Sequence, residues 1–288
     1  MANEYVIITD SGSDLSKELA AQLGVKVVPL SYTMDGGEPI PGDRADLAKF
    51  YADLRAGMMA TTSAANLDDF SKVLREYAQE GTDVLYIGFS SGLSSTSSTG
   101  RLACSEISEE YPDVKLYAVD TLAASLGQGM LVYIACTMKK EGKTIEEVRD
   151  WLEENKLKLA HHFTVDDLFF LKRGGRVSAA TAVVGSMLAI KPLLHVDDAG
   201  KLINIGKARG RKASLDALYK ACAETAVEPE TQTMFISHGD CEEDAKYLAD
   251  KIRENLHPVD VIIESIGPVI GAHSGPGTMA LFFIGTNR

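Results

Sequence analysis

Val84-Leu85-Tyr86-Ile87-Gly88-Phe89-Ser90-Ser91-Gly92-Leu93-Ser94-Ser95-Thr96 opens as an apolar run of strand length and passes, through two glycines and a set of hydroxyls, into the start of a helix. Gly88 and Gly92 permit a tight turn, and Ser94, Ser95 and Thr96 stand where a helix is capped. A strand-to-helix turn of this kind aims free N–H groups and hydroxyls at one point, where the positive end of the helix favours an anion. No Lys follows the glycines, so the turn is not a phosphate-gripping loop, and a small carboxylate suits it better than a triphosphate. The plainer reading is that the serines only cap the helix. A sharper rival is catalytic: Gly88-Phe89-Ser90-Ser91-Gly92 satisfies Gly-x-Ser-x-Gly, the nucleophile turn of esterases. That reading makes Ser90 the nucleophile, His273 the base and Asp240 a third member, although no His-Gly-Gly run is present for the oxyanion loop.

The same junction recurs upstream and downstream. Tyr5 to Thr9 is a strand ending in Asp10-Ser11-Gly12-Ser13-Asp14, with Ser13 or Asp14 as the cap of a helix reaching about Leu23 and a strand from Val25 to Leu30. Strand, helix, strand in that order predicts a parallel sheet flanked by helices. Val114 to Val119 supplies a further strand, followed by the junction Asp120 to Gly129 and a long helix beginning near Ala123. Asp43 to Arg55 and the segment after Asn66 carry apolar residues at helical spacing, and Thr144-Ile145-Glu146-Glu147 is a capping box opening a helix to about Leu159. Thr61-Thr62-Ser63 is a hydroxyl cluster just ahead of the Asn66 cap.

The pattern changes after residue 160, which divides the chain into two α/β units, 1–160 and 161–288, the second expected to hold a smaller mixed sheet. Phe163 to Val165 reads as a short strand, Asp167 to Leu171 as a helical turn, and Leu193 to Val196 with Lys201 to Ile205 as a hairpin. Met234 to Ser237 and Val261 to Glu264 read as strands around a helix from Glu242 to Asn255, and Thr278 to Ile284 as a last strand. Gly267 to Gly277 is dense in glycine and proline and reads as a fixed loop holding His273 beside Ser274. His161-His162 has no metal-ligand spacing and receives no role.

Bulk properties bound the function. The chain has 288 residues, 45% apolar and 24% charged, an ordinary globular composition. A formal net charge of −12 argues against general affinity for nucleic acid. Two basic islands stand out against it: Lys172-Arg173-Gly174-Gly175-Arg176, and Lys207, Arg209, Arg211 and Lys212 at the head of a helix. Four cysteines, Cys104, Cys136, Cys222 and Cys241, form no C-x-x-C pair, so reduced thiols in the cytoplasm are expected. No signal-peptide pattern opens the sequence and no apolar run has membrane-spanning length.

Five stretches together resemble the DegV family of bacterial fatty-acid-binding proteins: Ile8-Thr9-Asp10-Ser11 with Asp14-Leu15; Thr62-Ser63; Ser90-Ser91-Gly92-Leu93-Ser94 with Thr96; Asp120 with Ser125, Gly127 and Gly129; and Gly271 to Gly277. Leu171 to Arg176 fits as well. Ala64-Ala65 stands where the family usually has Gln-Pro, and Ser95 and Ser97 where it usually has Gly and Tyr. The resemblance implies a long-chain fatty acid in a tunnel between two α/β domains, with no cofactor. It also implies a separate ATP-dependent fatty acid kinase subunit, to which the bound acid is presented and which makes the acyl phosphate; this chain is then not itself the enzyme. By the same resemblance Thr62 and Ser94 hydrogen-bond the carboxylate with His273 close by, Ser63, Ser95 and Ser274 lie in the same ligand-binding group, and Arg173, Lys207 and Arg209 match the partner-docking surface. Phe169, Phe170, Val184, Leu188, Ile266 and Ile270 are the expected tunnel residues.

Overall fold

The computed structural model describes residues 4–178 and 189–288. In chain order the strands are β1 (Tyr5–Asp10), β2 (Lys26–Val28), β3 (Ser31–Met34), β4 (Ile40–Pro41), β5 (Ala60–Ser63), β6 (Asp83–Gly88), β7 (Leu116–Asp120), β8 (Leu159–Thr164), β9 (Ile190–Val196), β10 (Leu202–Arg209), β11 (Thr233–His238), β12 (Asp260–Ser265) and β13 (Met279–Ile284).

The first sheet has the order β2-β1-β6-β7 and is parallel throughout, as the strand–helix alternation implied. Its strands read as unbroken apolar runs because both faces are covered. Leu85 and Ile87 point to one side, into a core with Ile7, Val119 and Leu131; Val84 and Tyr86 point to the other, against Phe70, Leu74 and Ile107. The helices Leu67–Gln79 and Thr96–Glu110 cover that second face.

The second sheet runs β10-β9-β8-β13-β11-β12, with only β11 and β12 parallel. It is mixed as expected, but with six strands against four it is the larger sheet and not the smaller. Helices Arg211–Thr225 and Glu242–Leu256 pack on one face through Leu215, Leu218, Ala245 and Leu248. The other face joins the core of the first sheet across the helix Leu126–Lys140. That helix buries Leu126, Met130, Leu131, Val132 and Ala135 in successive directions, as a helix clamped between two sheets must.

A third, three-stranded sheet, β4-β3-β5, was not read from sequence. It packs with the helix Leu47–Arg55 through Tyr32, Phe50, Tyr51 and Leu54, and Phe50 meets both tyrosine rings edge to face.

Several boundaries move. The capping box at Thr144 and Glu147 forms as expected, and Asn66 caps its helix. The first helix, Lys17–Leu23, is capped by Ser16 and not by Ser13 or Asp14, and the helix before Arg55 begins at Leu47, capped by Asp46. Gly267 to Gly277 is no loop: Pro268–Ser274 is a two-turn helix with proline at its start, where the missing N–H costs nothing. Lys207 and Arg209 lie on β10, ahead of the helix that starts at Arg211. Since β8 begins at Leu159, a division at 160/161 would cut a strand.

Candidate functional site

Three junctions leave the carboxyl ends of the parallel strands together, the usual place for a ligand in an open α/β sheet. Asp10, at the end of β1, holds two of them in register. Its buried carboxyl accepts from Gly12 N at 3.0 Å, Phe89 N at 2.9 Å and Tyr86 Oη at 2.7 Å. Burial raises its pKa against those lowering hydrogen bonds. Asp14 reaches the second half of the chain. It accepts from Ser125 Oγ at 2.5 Å and Gly267 N at 2.9 Å, and burial pushes its carboxyl up to about 7.

Within the loop after β6 the hydroxyls divide. Ser90 is fully buried, donates to Gly200 O at 2.8 Å and accepts from Gly92 N. Its proton is committed to a carbonyl, no base reaches it, and it does not line the cavity described below; Asp240 pairs with Arg55 and His273 with Thr62. The esterase expectation therefore fails on geometry. Ser94, four residues on, does line the cavity; its Oγ lies 2.9 Å from Thr96 Oγ1 and accepts from Thr96 N. Ser95 occupies the capping position without a side-chain cap bond.

His273, in the last turn of Pro268–Ser274, meets Thr62 of β5: Nε2 lies 2.8 Å from Thr62 Oγ1. Burial, with Arg176 and Arg173 nearby, lowers its pKa to about 4, so the ring is neutral near pH 7. Gly174 makes this approach possible, because a Cβ there would overlap His273 Nδ1. Arg176 completes the corner. It donates from Nε and Nη2 to Leu93 O at 3.3 and 3.1 Å and from Nη1 to Gly174 O, which leaves N–H donors over for an anion. In the sequence Arg176 stands only as the end of the first basic island; the two glycines before it were the sign of a backbone folded back towards the site.

These groups open onto a cavity of about 260 Å³. Thr62, Ser63, Ser94, Ser95, Ser274 and His273 all line it, with Arg176, and so do Ile266 and Ile270. Two expected tunnel residues do not. Phe169 is 56% exposed, and Phe170 packs over Gly275 and under the Arg173 guanidinium, 4.9 Å from its ring. On the short helix Leu168–Arg173 it is Leu168 and Leu171 that turn inward, and Leu171 lines the cavity. Val184 and Leu188 lie outside the described residues.

The remaining wall comes from the second sheet, and strand register explains its membership. Ser237, Ala280 and Phe163 are cross-strand neighbours on β11, β13 and β8. Two residues along, roughly 7 Å away, Phe282 pairs with His161. Pairing of His162 with His195 brings Val196 beside His161, and Leu202 pairs with Val196. All of these except His162 and His195 line the cavity, so alternation alone separates the two adjacent histidines.

Lys207 and Arg209 are exposed on the edge strand β10, beyond a bulge at Asn204–Gly206, while Arg173 is half-buried. Among the described residues no group of His, Cys, Asp or Glu is placed to hold a metal ion, and no helix is long and apolar enough to cross a membrane.

A family model described as an uncharacterised protein of the DegV family matches residues 4–286. A DegV domain-containing protein of Clostridium perfringens is 47% identical over 287 residues, covering 99% of both chains. Among solved structures, a Thermus thermophilus DegV family protein described for its fatty acid binding is 32% identical, with a TM-score of 0.88 over 97% of this chain and 98% of its own. A DegV lipid binding protein from Thermotoga maritima is 31% identical, with a TM-score of 0.85 over 99% of each chain.

Proposed function

The chain belongs to the DegV family, and from that premise we propose that it binds a long-chain fatty acid in the cavity and presents the carboxylate to a separate ATP-dependent kinase subunit. The observation that carries the reading is the division of the lining: hydroxyls, a neutral histidine and an arginine at one corner, apolar side chains along the rest. Relatives of the same fold are described as fatty-acid-binding or lipid-binding proteins. A carboxylate at the corner takes hydrogen bonds from Thr62, Ser94 and Arg176, with His273 orienting the Thr62 hydroxyl. Each methylene buried along the wall gains about 0.8 kcal/mol.

The chain holds and orients; the nucleotide chemistry falls to the partner. Neutral His273 and the committed Ser90 offer no activated nucleophile, whereas a fixed carboxylate is what an incoming phosphoryl group needs. Exposed Phe169 with Arg173, and Lys207 with Arg209, are the surfaces we assign to docking. We read two α/β units, divided just before Leu159 where β8 begins. Four free cysteines suit a reducing, cytoplasmic setting.

Mass spectrometry of lipid extracted from the purified protein tests the binding, with a long-chain acid expected near one per chain. Protein that arrives empty and takes up no long-chain acid would refute it. Adding the kinase subunit, ATP and Mg²⁺ should convert the bound acid to its acyl phosphate. Arg173→Glu with Arg209→Glu should cut that turnover about tenfold at low salt while lipid stays bound. Undiminished turnover removes the docking assignment.

A further inference from the structure

One motif of the sequence is left without a role by the reading above. Gly88-Phe89-Ser90-Ser91-Gly92 has the pattern of a nucleophile turn, yet Ser90 is fully buried and donates its proton to a backbone carbonyl, Gly200 O, at 2.8 Å. That carbonyl belongs to the tip of the hairpin formed by β9 and β10. The tip is a turn that holds its own shape: Asp197 Oδ1 accepts from Ala199 N and Lys201 N at 3.0 and 2.8 Å, Gly200 N donates to Asp197 O, and Asp197 N donates to Lys201 O. It fits its seat closely. A Cβ on Gly92 would overlap Ala199 O, and one on Gly200 would overlap Ser90 Oγ and lie 3.2 Å from Leu122 Cα. The seat is fixed from one point, because Asp120 Oδ1 accepts from both Ser91 N at 3.2 Å and Leu122 N at 3.1 Å.

What the turn carries explains why it is held. Val196 and Leu202 pair directly behind it, and both line the cavity. The ladder joining the hairpin to β8 consists of His162–His195 and Phe163–Leu194. It stops one residue short of Val196, and β10 is the edge of the sheet. Among the described residues, then, backbone pairing to a third strand does not reach the end of the hairpin that lines the cavity. Ser90 and the close fit at Gly92 supply the hold there, aided by the charge of Arg288 near Asp197 and Asp198. Along the channel Val196 lies one row beyond Phe163, roughly 7 Å further from the corner, so it meets the far part of a long acyl chain and not its head.

We propose that Ser90 is a positioning residue for the acyl site: its hydroxyl seats the β9–β10 hairpin on the first sheet and so fixes Val196 and Leu202 as the wall that a long chain packs against. The inference rests on the fatty-acid reading and gives the Gly-x-Ser-x-Gly turn a mechanical use in place of a catalytic one. It makes the effect of Ser90 depend on chain length. An acid too short to reach Val196 gains nothing from a seated hairpin, whereas each further methylene is buried only while that wall stays in place.

The test measures the affinity of delipidated protein for straight-chain acids from decanoic to octadecanoic. In Ser90→Ala the ratio of octadecanoic to decanoic acid affinity should fall about fivefold below wild type, the order of one neutral hydrogen bond. Gly92→Ala, which wedges the seat without removing the hydroxyl, should lower the same ratio. Thr144→Ala removes a helix cap at the opposite end of the first sheet, where Tyr5 donates to Lys143 O, and should leave the ratio at its wild-type value. In wild-type protein, hydrogen exchange of the amides from Leu194 to Leu202 should slow more on saturation with octadecanoic acid than with decanoic acid, a readout that needs no variant. An unchanged ratio in either seat variant, an equal fall in Thr144→Ala, or hairpin exchange that does not distinguish the two acids overturns the assignment. Failure of octadecanoic acid to bind wild type takes down the fatty-acid reading, and this inference with it.

Discussion

The cavity joins two unlike surfaces. Its corner is assembled from separate segments: Thr62 from β5, Ser94 from the loop after β6, Arg176 from the turn after Leu168–Arg173, and His273 from a two-turn helix. Its wall is one face of one sheet, with Phe163, Ala280, Phe282 and Val196 side by side on paired strands. Hydrogen bonds between loops locate the corner; a backbone ladder locates the wall. Ten methylenes along the wall gain about 8 kcal/mol at ~0.8 each, whereas each hydroxyl at the corner contributes about 1 kcal/mol. The wall therefore sets how tightly a ligand is held, and the corner sets which way it points.

The largest effect expected from this division is in the wall. Val196→Asp puts an unpaired charge against the acyl path, which costs several kcal/mol. Lipid retention should fall about 100-fold or more, measured by mass spectrometry on protein whose circular dichroism is unchanged. Retention near wild type would break the comparison. A smaller and differently shaped effect belongs to the corner. Ser94→Ala should weaken retention no more than about fivefold, yet slow phosphorylation of the bound acid by a larger factor, because orientation is what it removes. Equal losses in the two assays would put Ser94 with the wall.

The pH dependence of stability is a separate test, in which buried Asp14 and half-buried His273 act with opposite sign. The native state keeps the Asp14 proton up to about pH 7, while the unfolded chain releases it near the ordinary value of 3.8. The stability tied to Asp14 is thus lost as pH rises from about 4 to about 7. His273 is the reverse: unfolded it takes a proton near 6.5, folded only at about 4, so stability is lost as pH falls through that window. In urea titrations of the delipidated protein, Asp14→Asn should gain on wild type as pH rises from about 4 to about 7. His273→Gln should gain as pH falls from about 6.5 to about 4. Parallel curves for either variant and wild type would deny that group its shift.

The same contrast explains what was legible in the sequence. The parallel sheet could be read because Val84 to Ile87 is buried on both faces and needs no partner to show it. The capping box at Thr144 and Glu147 is likewise a local device with a local signature. Thr62, Ser94 and His273 were named, but not the structures that bring them together. β3 and β5 are four-residue strands paired across almost thirty positions, with nothing local to announce the match. Pro268–Ser274 looked like a loop because of its glycines. Gly271 is there for a packing reason, since a Cβ would lie 2.8 Å from Tyr51 Oη and 2.9 Å from Phe50, and that neighbour is more than 200 residues away in sequence. Phe169 and Phe170 misled because a six-residue helix has too little pattern to show which side turns inward. His161 and His162 differ by one step of strand alternation, which can be seen only once β8 is placed between β13 and β9.

A crystal structure of the delipidated protein reloaded with octadecanoic acid addresses the division most directly. The carboxylate should lie within hydrogen-bond distance of Thr62 Oγ1 and Ser94 Oγ, with the chain running past Phe163 and then between Phe282 and Val196. A chain in the opposite direction, with its carboxylate against His161, or an acid bound outside this cavity, would contradict the account.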